Sequence, residues 1–170
     1  GTLTIPESVL DLNNQYTFQV TAIGSAGTYT NVTAVNLPST LKTINTNAFS
    51  KSQITTINIP AGTDDIKDGA FAQIENLTAI TVDAGNSKYT AEDGVLYENN
   101  SGNKYLKAYP VAKAGTTFTV PNGVYGVSTN GFQQAKNLTT ITLPASIQDL
   151  PTTKEANGFT SAPNLTAIKV

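Results

Sequence analysis

The sequence predicts a solenoid: a chain wound into stacked coils of about 23 residues, each contributing one parallel strand. Three observations carry this prediction. A strand-like motif, clearest as NLTTITLP over Asn137–Pro144, recurs along the chain. Its copies are regularly spaced. A second register of apolar residues follows most copies at fixed distances.

The copies run in order. GTLTIP opens the chain at Gly1–Pro6, and NVTAVNLP covers Asn31–Pro38. QITTINIP covers Gln53–Pro60, and NLTAITVD covers Asn76–Asp83. TTFTVP covers Thr116–Pro121, NLTTITLP follows at Asn137–Pro144, and NLTAIKV closes the chain at Asn164–Val170. Pro38 and Pro60 stand 22 residues apart; Pro60 and Asp83, and again Pro121 and Pro144, stand 23 apart. Six residues past each proline comes an aliphatic: Leu12, Ile44, Ile66, Val127 and Leu150. Eleven past it comes Phe49, Phe71 or Phe132, with Phe18 and Phe159 displaced by insertions. Ala48, Ala70, Gly131 and Gly158 each precede one of these aromatics.

Each part of the unit has a physical reading. Apolar residues alternating with Thr or Asn give the period of a half-buried strand, and Thr, Ile and Val suit it. Proline ends the strand because it has no N–H for a ladder. The following aliphatic starts a return segment, and the small-residue–Phe pair turns the chain with its ring inward. The Asn before the strand (Asn31, Asn76, Asn137, Asn164) is expected to bond local turn backbone. These residues also form N-x-Ser/Thr sequons, which the repeat itself explains.

The two irregular intervals divide the single domain, residues 1–170. Residues 1–30 form an irregular first repeat, 31–82 are regular, 83–115 carry an insertion, and 116–170 resume the repeat. In the insertion, Gly94–Glu98 and Lys104–Tyr109 read as strands around the turn-rich Asn99–Asn103, predicting a β-hairpin that projects from the stack. Seven strands at ~4.8 Å would make a sheet about 30 Å wide. Gly1 in place of Met, and a last copy only one strand long, predict a segment of a longer protein.

Composition excludes several chemistries. The chain has no Cys, His, Met or Trp. Cys–His zinc sites, Ser-His-Asp triads, cysteine nucleophiles, haem and iron–sulfur ligation are therefore excluded for this chain. All ten basic residues are lysines and the net charge is -2, so no nucleic-acid surface is expected. No apolar run reaches the ~20 residues of a membrane span, so no membrane insertion is expected of this segment. No cofactor and no metal is predicted, and a monomer is expected.

The unit resembles the BspA-type leucine-rich repeat, with its pattern L-T-x-I-x-I-P-x-x-V-x-x-I-x-x-x-A-F-x-x-C. The insertion is similar to a variant of that family, reading Val82, Asp83, Asn86, Tyr89, Asp93, Gly94, Val95, Leu96, Tyr97, then Leu106, Tyr109 and Pro110. The frequent Cys is replaced by Ser52, Ile74, Ala135 and Ala162. The resemblance implies a leucine-rich-repeat solenoid: a right-handed, β-rich α/β horseshoe with short helical or irregular return segments, plus the inserted hairpin. It also implies a bacterial cell-surface or secreted protein acting in adhesion to host matrix protein, host cells or other bacteria.

Candidate binding residues are the outward strand positions Asn36, Asn58, Thr81, Thr119 and Thr142. Threonine and asparagine there also serve simply as soluble, β-compatible residues, and the face lacks the aromatics and arginines common at interface hot spots. Tyr89, Tyr97, Tyr105, Tyr109 and Tyr125 cluster about the insertion. Tyr89 takes a core slot and Tyr97 and Tyr109 belong to the motif, which leaves Tyr105 and the hairpin tip as contact candidates. Asp64, Asp65, Asp68, Asp83, Glu92 and Asp93 could supply paired carboxylates, but solvated turns explain them better. The expected function is a non-catalytic surface binding module for a protein or glycan ligand. A structural spacer presenting another domain is the alternative, and a carbohydrate-active enzyme the third reading.

Overall fold

The computed structural model of the protein describes residues 1–24, 29–151, 158–159 and 162–170. Seven short strands carry the repeated motif. They are β1 (Thr2–Thr4), β5 (Ala34–Asn36), β7 (Thr56–Ile59), β9 (Ala79–Val82), β13 (Thr117–Thr119), β15 (Thr140–Thr142) and β16 (Ala167–Lys169). All their pairings are parallel and in the register the repeat predicts: Leu3 opposite Val35, Ile57 opposite Ile80, and Phe118 opposite Ile141 opposite Ile168. The seven strands do not form one sheet. They make three ladders, β1–β5, β7–β9 and β13–β15–β16, so the continuous 30 Å face expected from the sequence is interrupted.

The return segments are turns and two-residue strands, with no helix among the described residues. β4 (Ala22–Ile23), β6 (Thr43–Ile44) and β8 (Asp65–Ile66) form a second parallel ladder behind the first. Buried Ile44, Ile66 and Val127 fill the predicted aliphatic slot. Phe49, Phe71 and Phe132 are likewise buried at the corners. The corners turn through left-handed residues in register: Asn47, Gly69 and Asn130 at one position, and Lys51, Gln73 and Gln134 four residues later.

The first coil departs from expectation. Leu12 does not enter the core; it is fully exposed, and Ile23 takes the slot beside Ile44. The cause is a hairpin, β2 (Ser8–Leu10) against β3 (Thr17–Gln19), looped out between β1 and β4. Phe18 rides on that hairpin and is exposed, and Tyr29 lies beside Phe49 instead.

Two side-chain ladders tie coil to coil. Thr78, Thr139 and Thr166 each donate their hydroxyl to the carbonyl of the equivalent threonine one coil earlier, namely Thr55, Thr116 and Thr139. Three of the four asparagines before the strands also reach back a coil rather than bonding local turn backbone. Asn76 donates to Gln53 Oε1, Asn137 to Lys113 O and Asn164 to Lys136 O. A coil cannot satisfy these groups alone, so stacking and hydrogen bonding are coupled.

The insertion is three strands rather than one projecting hairpin. β10 (Tyr89–Glu92), β11 (Val95–Asn100) and β12 (Asn103–Ala108) form an antiparallel meander, and β12 continues in parallel onto the return strand β14 (Val124–Val127). Asp93-Gly94 and Ser101-Gly102, all at positive φ, make the two tight turns. Strand alternation places β11 between two cores. Leu96 packs into the first, with Ile57, Ile80 and Phe71; Val95 and Tyr97 pack into the second, with Leu106, Phe132 and Ile141. Gly94 sits directly over β9: a Cβ there would come 2.9 Å from Ala79 Cβ. The insertion is thus a partition built into the stack: Tyr89, Val95, Leu96, Tyr97 and Leu106 are buried, while Thr90, Glu92, Asp93 and the Asn99–Asn103 turn are exposed.

Candidate functional site

The predicted strand-face residues fall into two groups. Asn36, Asn58 and Thr81 lie on the first two ladders; Thr119 and Thr142 lie on the third, paired with Lys169. In the first group the side chains bond one another. Asn36 Nδ2 donates to Thr4 Oγ1, Thr81 Oγ1 to Asn58 Oδ1, and Asn58 Nδ2 to Asp83 Oδ1 at 2.7 Å. This fixes the amide orientations as a polar stripe. The stripe borders a cleft of about 310 Å³ that also contains Glu7, Leu37, Ser39 and Pro60. Glu7 is held in place by the Ser39 and Thr40 backbone N–H groups, and the Ser39 bond leads in holding its carboxyl below its ordinary value. Glu7 and Asp83 thus supply two fixed carboxylates beside two amides and an apolar floor.

The tyrosine cluster separates by burial. Tyr89, Tyr97 and Tyr109 are interior. The Tyr89 hydroxyl accepts the Ile66 N–H, joining the insertion to the return ladder. Burial raises the hydroxyl pKa of Tyr89 and Tyr97, and takes Tyr109 up to about 12. Tyr109 heads an aromatic file with Phe118, Phe132 and Phe159.

Tyr105 is half-buried at the rim of a second cleft, of about 440 Å³, between the hairpin and the return side of the later coils. Its ring and that of Tyr125 meet in an edge-type contact with centroids 5.6 Å apart, and its hydroxyl donates to Asp149 Oδ2 at 3.0 Å. Desolvation and this carboxylate raise its pKa. The ring lies against the Gly126 backbone, where a Cβ would come 2.6 Å from the ring. Lys107 Nζ lies 2.7 Å from Asp68 and 3.3 Å from Glu98, and Lys88 also reaches Glu98. Sequence reasoning missed Asp149 and Lys107. Asp149 stands 23 residues after Gly126, so the repeat period was the signal that could have found it.

The other candidate carboxylates are engaged singly. Asp65 pairs with Lys67, Asp68 with Lys107, Glu92 with Lys104, Asp93 with Lys113, and Asp83 with Asn58. Asp64 is exposed in a return segment. Among the described residues no group of three or more His, Cys, Asp or Glu could hold a metal ion, and no helix is long and apolar enough to cross a membrane.

Comparison with known proteins matches this architecture. A family model described as "BspA type Leucine rich repeat region" matches residues 2–99 and 108–170, in six copies. A search of curated proteins finds no match. Among solved structures, a leucine rich cell surface protein of Faecalibacterium prausnitzii is 27% identical, with a TM-score of 0.73 over 99% of this chain and 41% of that one. A leucine-rich repeat protein of Eubacterium ventriosum is 29% identical, with a TM-score of 0.60 over 82% of this chain and 42% of that one. The pneumococcal vaccine antigen PcpA, 15% identical with a TM-score of 0.65 over 99% of this chain and 60% of that one, shares the fold. The chain spans about two-fifths of the length of the first two.

Proposed function

The chain belongs to the BspA-type leucine-rich repeat family, and from that premise we propose that it is a non-catalytic binding module of a bacterial surface protein, with the first strand face as its contact surface. The family and its cell-surface neighbours support a binding or structural module. The observation that carries the binding reading is the pre-ordered stripe Thr4–Asn36 and Asn58–Thr81 beside the Glu7–Asp83 cleft. A partner meeting it finds carboxylates and amides already fixed, so little rotamer entropy is lost on contact. The set is acceptor-rich, which suits lysine, arginine or backbone N–H groups of a protein ligand on a host or bacterial surface. Thr119 and Thr142 extend the contact only for a partner long enough to cross the Gly94 turn.

The test is a surface-binding measurement with the purified chain over immobilised fibronectin, fibrinogen and whole bacterial cells. Saturable binding that Asn58→Ala weakens about tenfold supports the reading. Absence of binding from the folded chain across all three favours a spacer that presents another domain.

A further inference from the structure

We propose that the cleft beside Tyr105 binds a neutral saccharide unit. The inference deepens the binding-module reading and rests on it, but its site lies on the return side, away from the strand face.

The cleft is built by the fold rather than left over from it. Gly126 has no Cβ, and that absence lets the Tyr105 ring lie on backbone where any side chain would collide. The Tyr125 ring and the Asp149 carboxylate then give the side chain two further contacts. A tyrosine so braced presents a rigid surface with few rotamers to lose on contact. The space beside it, about 440 Å³, falls in the range of small-ligand pockets (~300–1,000 Å³).

Its chemistry selects the ligand class. Glu98 and Asp149 supply acceptors, and Ser128 and Thr129 supply hydroxyls that both donate and accept. The cation sites are already filled, because Lys107 pairs with Asp68 and Glu98, and Lys88 adds a second contact to Glu98. That leaves Asp149 as the carboxylate with no lysine against it among the described ion pairs. An anionic ligand meets repulsion there. An apolar side chain leaves the polar lining unsatisfied. A sugar ring fits both demands: its C–H face stacks on Tyr105 while its hydroxyls donate to Asp149 and Glu98 and accept from Ser128, Thr129 and Lys107.

The test is an NMR titration of the full chain with methyl galactoside, methyl N-acetylglucosaminide and lactose. Glucuronate and sialic acid serve as the charged counterparts. The expected result is saturable movement of the Tyr105 and Ser128 amides with at least one neutral sugar, and none with either acid. Asp149→Asn keeps the side-chain shape and should weaken binding about tenfold; Tyr105→Ala should weaken it at least as much. Tyr105→Phe should retain the stacking contribution, and Thr56→Ala at an exposed position of the strand face should leave sugar binding unchanged. Tighter binding of an acid, no saturable movement with any neutral sugar at tens of millimolar, or unchanged affinity in Asp149→Asn would each overturn the proposal.

Discussion

Ile57 and Leu96 are both fully buried in the same core, yet one belongs to a regular coil and the other to the insertion. Ile57 has an equivalent one coil later, Ile80, and the two pair directly in the parallel ladder. Leu96 has no such equivalent. It sits on an antiparallel strand whose neighbours Val95 and Tyr97 face a different core. Between residues 31 and 82, stability comes from repetition: each coil offers the next the same apolar row, and Thr78 bonds back to Thr55. In the insertion it comes from single contacts that occur once, such as Tyr89 on Ile66 and Gly94 on Ala79. A solenoid can therefore carry a non-repeating layer between two cores, provided that layer offers apolar side chains to both.

The largest expected effect tests whether the insertion is core. Leu96→Ala and Ile57→Ala should each destabilise the chain by about 2–5 kcal/mol, because both leave a cavity. Urea unfolding of the two variants checks this. A projecting hairpin would instead give a loss within ~0.5 kcal/mol for Leu96→Ala.

Tyr89→Phe removes one hydroxyl and leaves the buried Ile66 N–H without its acceptor. The expected loss is about 1–3 kcal/mol, read from the shift in urea midpoint. The same substitution at Tyr105, half-buried at the cleft rim, should cost less.

The insertion should also titrate differently from the coils. Tyr109 has its folded pKa raised to about 12 from an ordinary value near 10, and Tyr89 and Tyr97 are raised as well. A raised folded pKa means the neutral form is favoured by folding. The contribution is therefore complete below about pH 10 and is lost as pH rises through the folded values. Urea midpoints should fall as the pH rises from about 10 to about 12, and the fall should be smaller in Tyr109→Phe.

The smallest effect is a gain within the regular coils. Ser52 stands where the other described coils bury Ile74 and Ala135, and its buried Oγ finds no hydrogen-bond partner. Ser52→Ala should raise stability by up to about 1 kcal/mol in thermal unfolding.

The repeat was legible because every copy restated it. Phe49, Phe71 and Phe132 fell in register from spacing alone, and parallel pairing followed. Parts of the first coil and the insertion were less legible because nothing restates them. Leu12 matches the aliphatic offset in sequence, but the β2–β3 hairpin carries it outward and Ile23 replaces it. Asp93-Gly94 is a strong two-residue hairpin signal, and it joins β10 to β11 where the sequence reading starts a strand at Gly94. The threonines read as β-formers also hold adjacent coils through their hydroxyls, which no single-copy argument reveals. At the sites, the polar stripe followed from strand alternation. The Tyr105 cleft depends on Asp149, Lys107 and Gly126, which converge only when the meander docks on the return side.

Whether the insertion is an internal layer is tested most directly by residue-resolved amide hydrogen exchange. The account predicts that Leu96, Tyr97 and Leu106 are protected as strongly as Ile57 and Ile80, while Ser101 and Gly102 exchange freely. Uniformly fast exchange across residues 95–108, with the coils still protected, would contradict it.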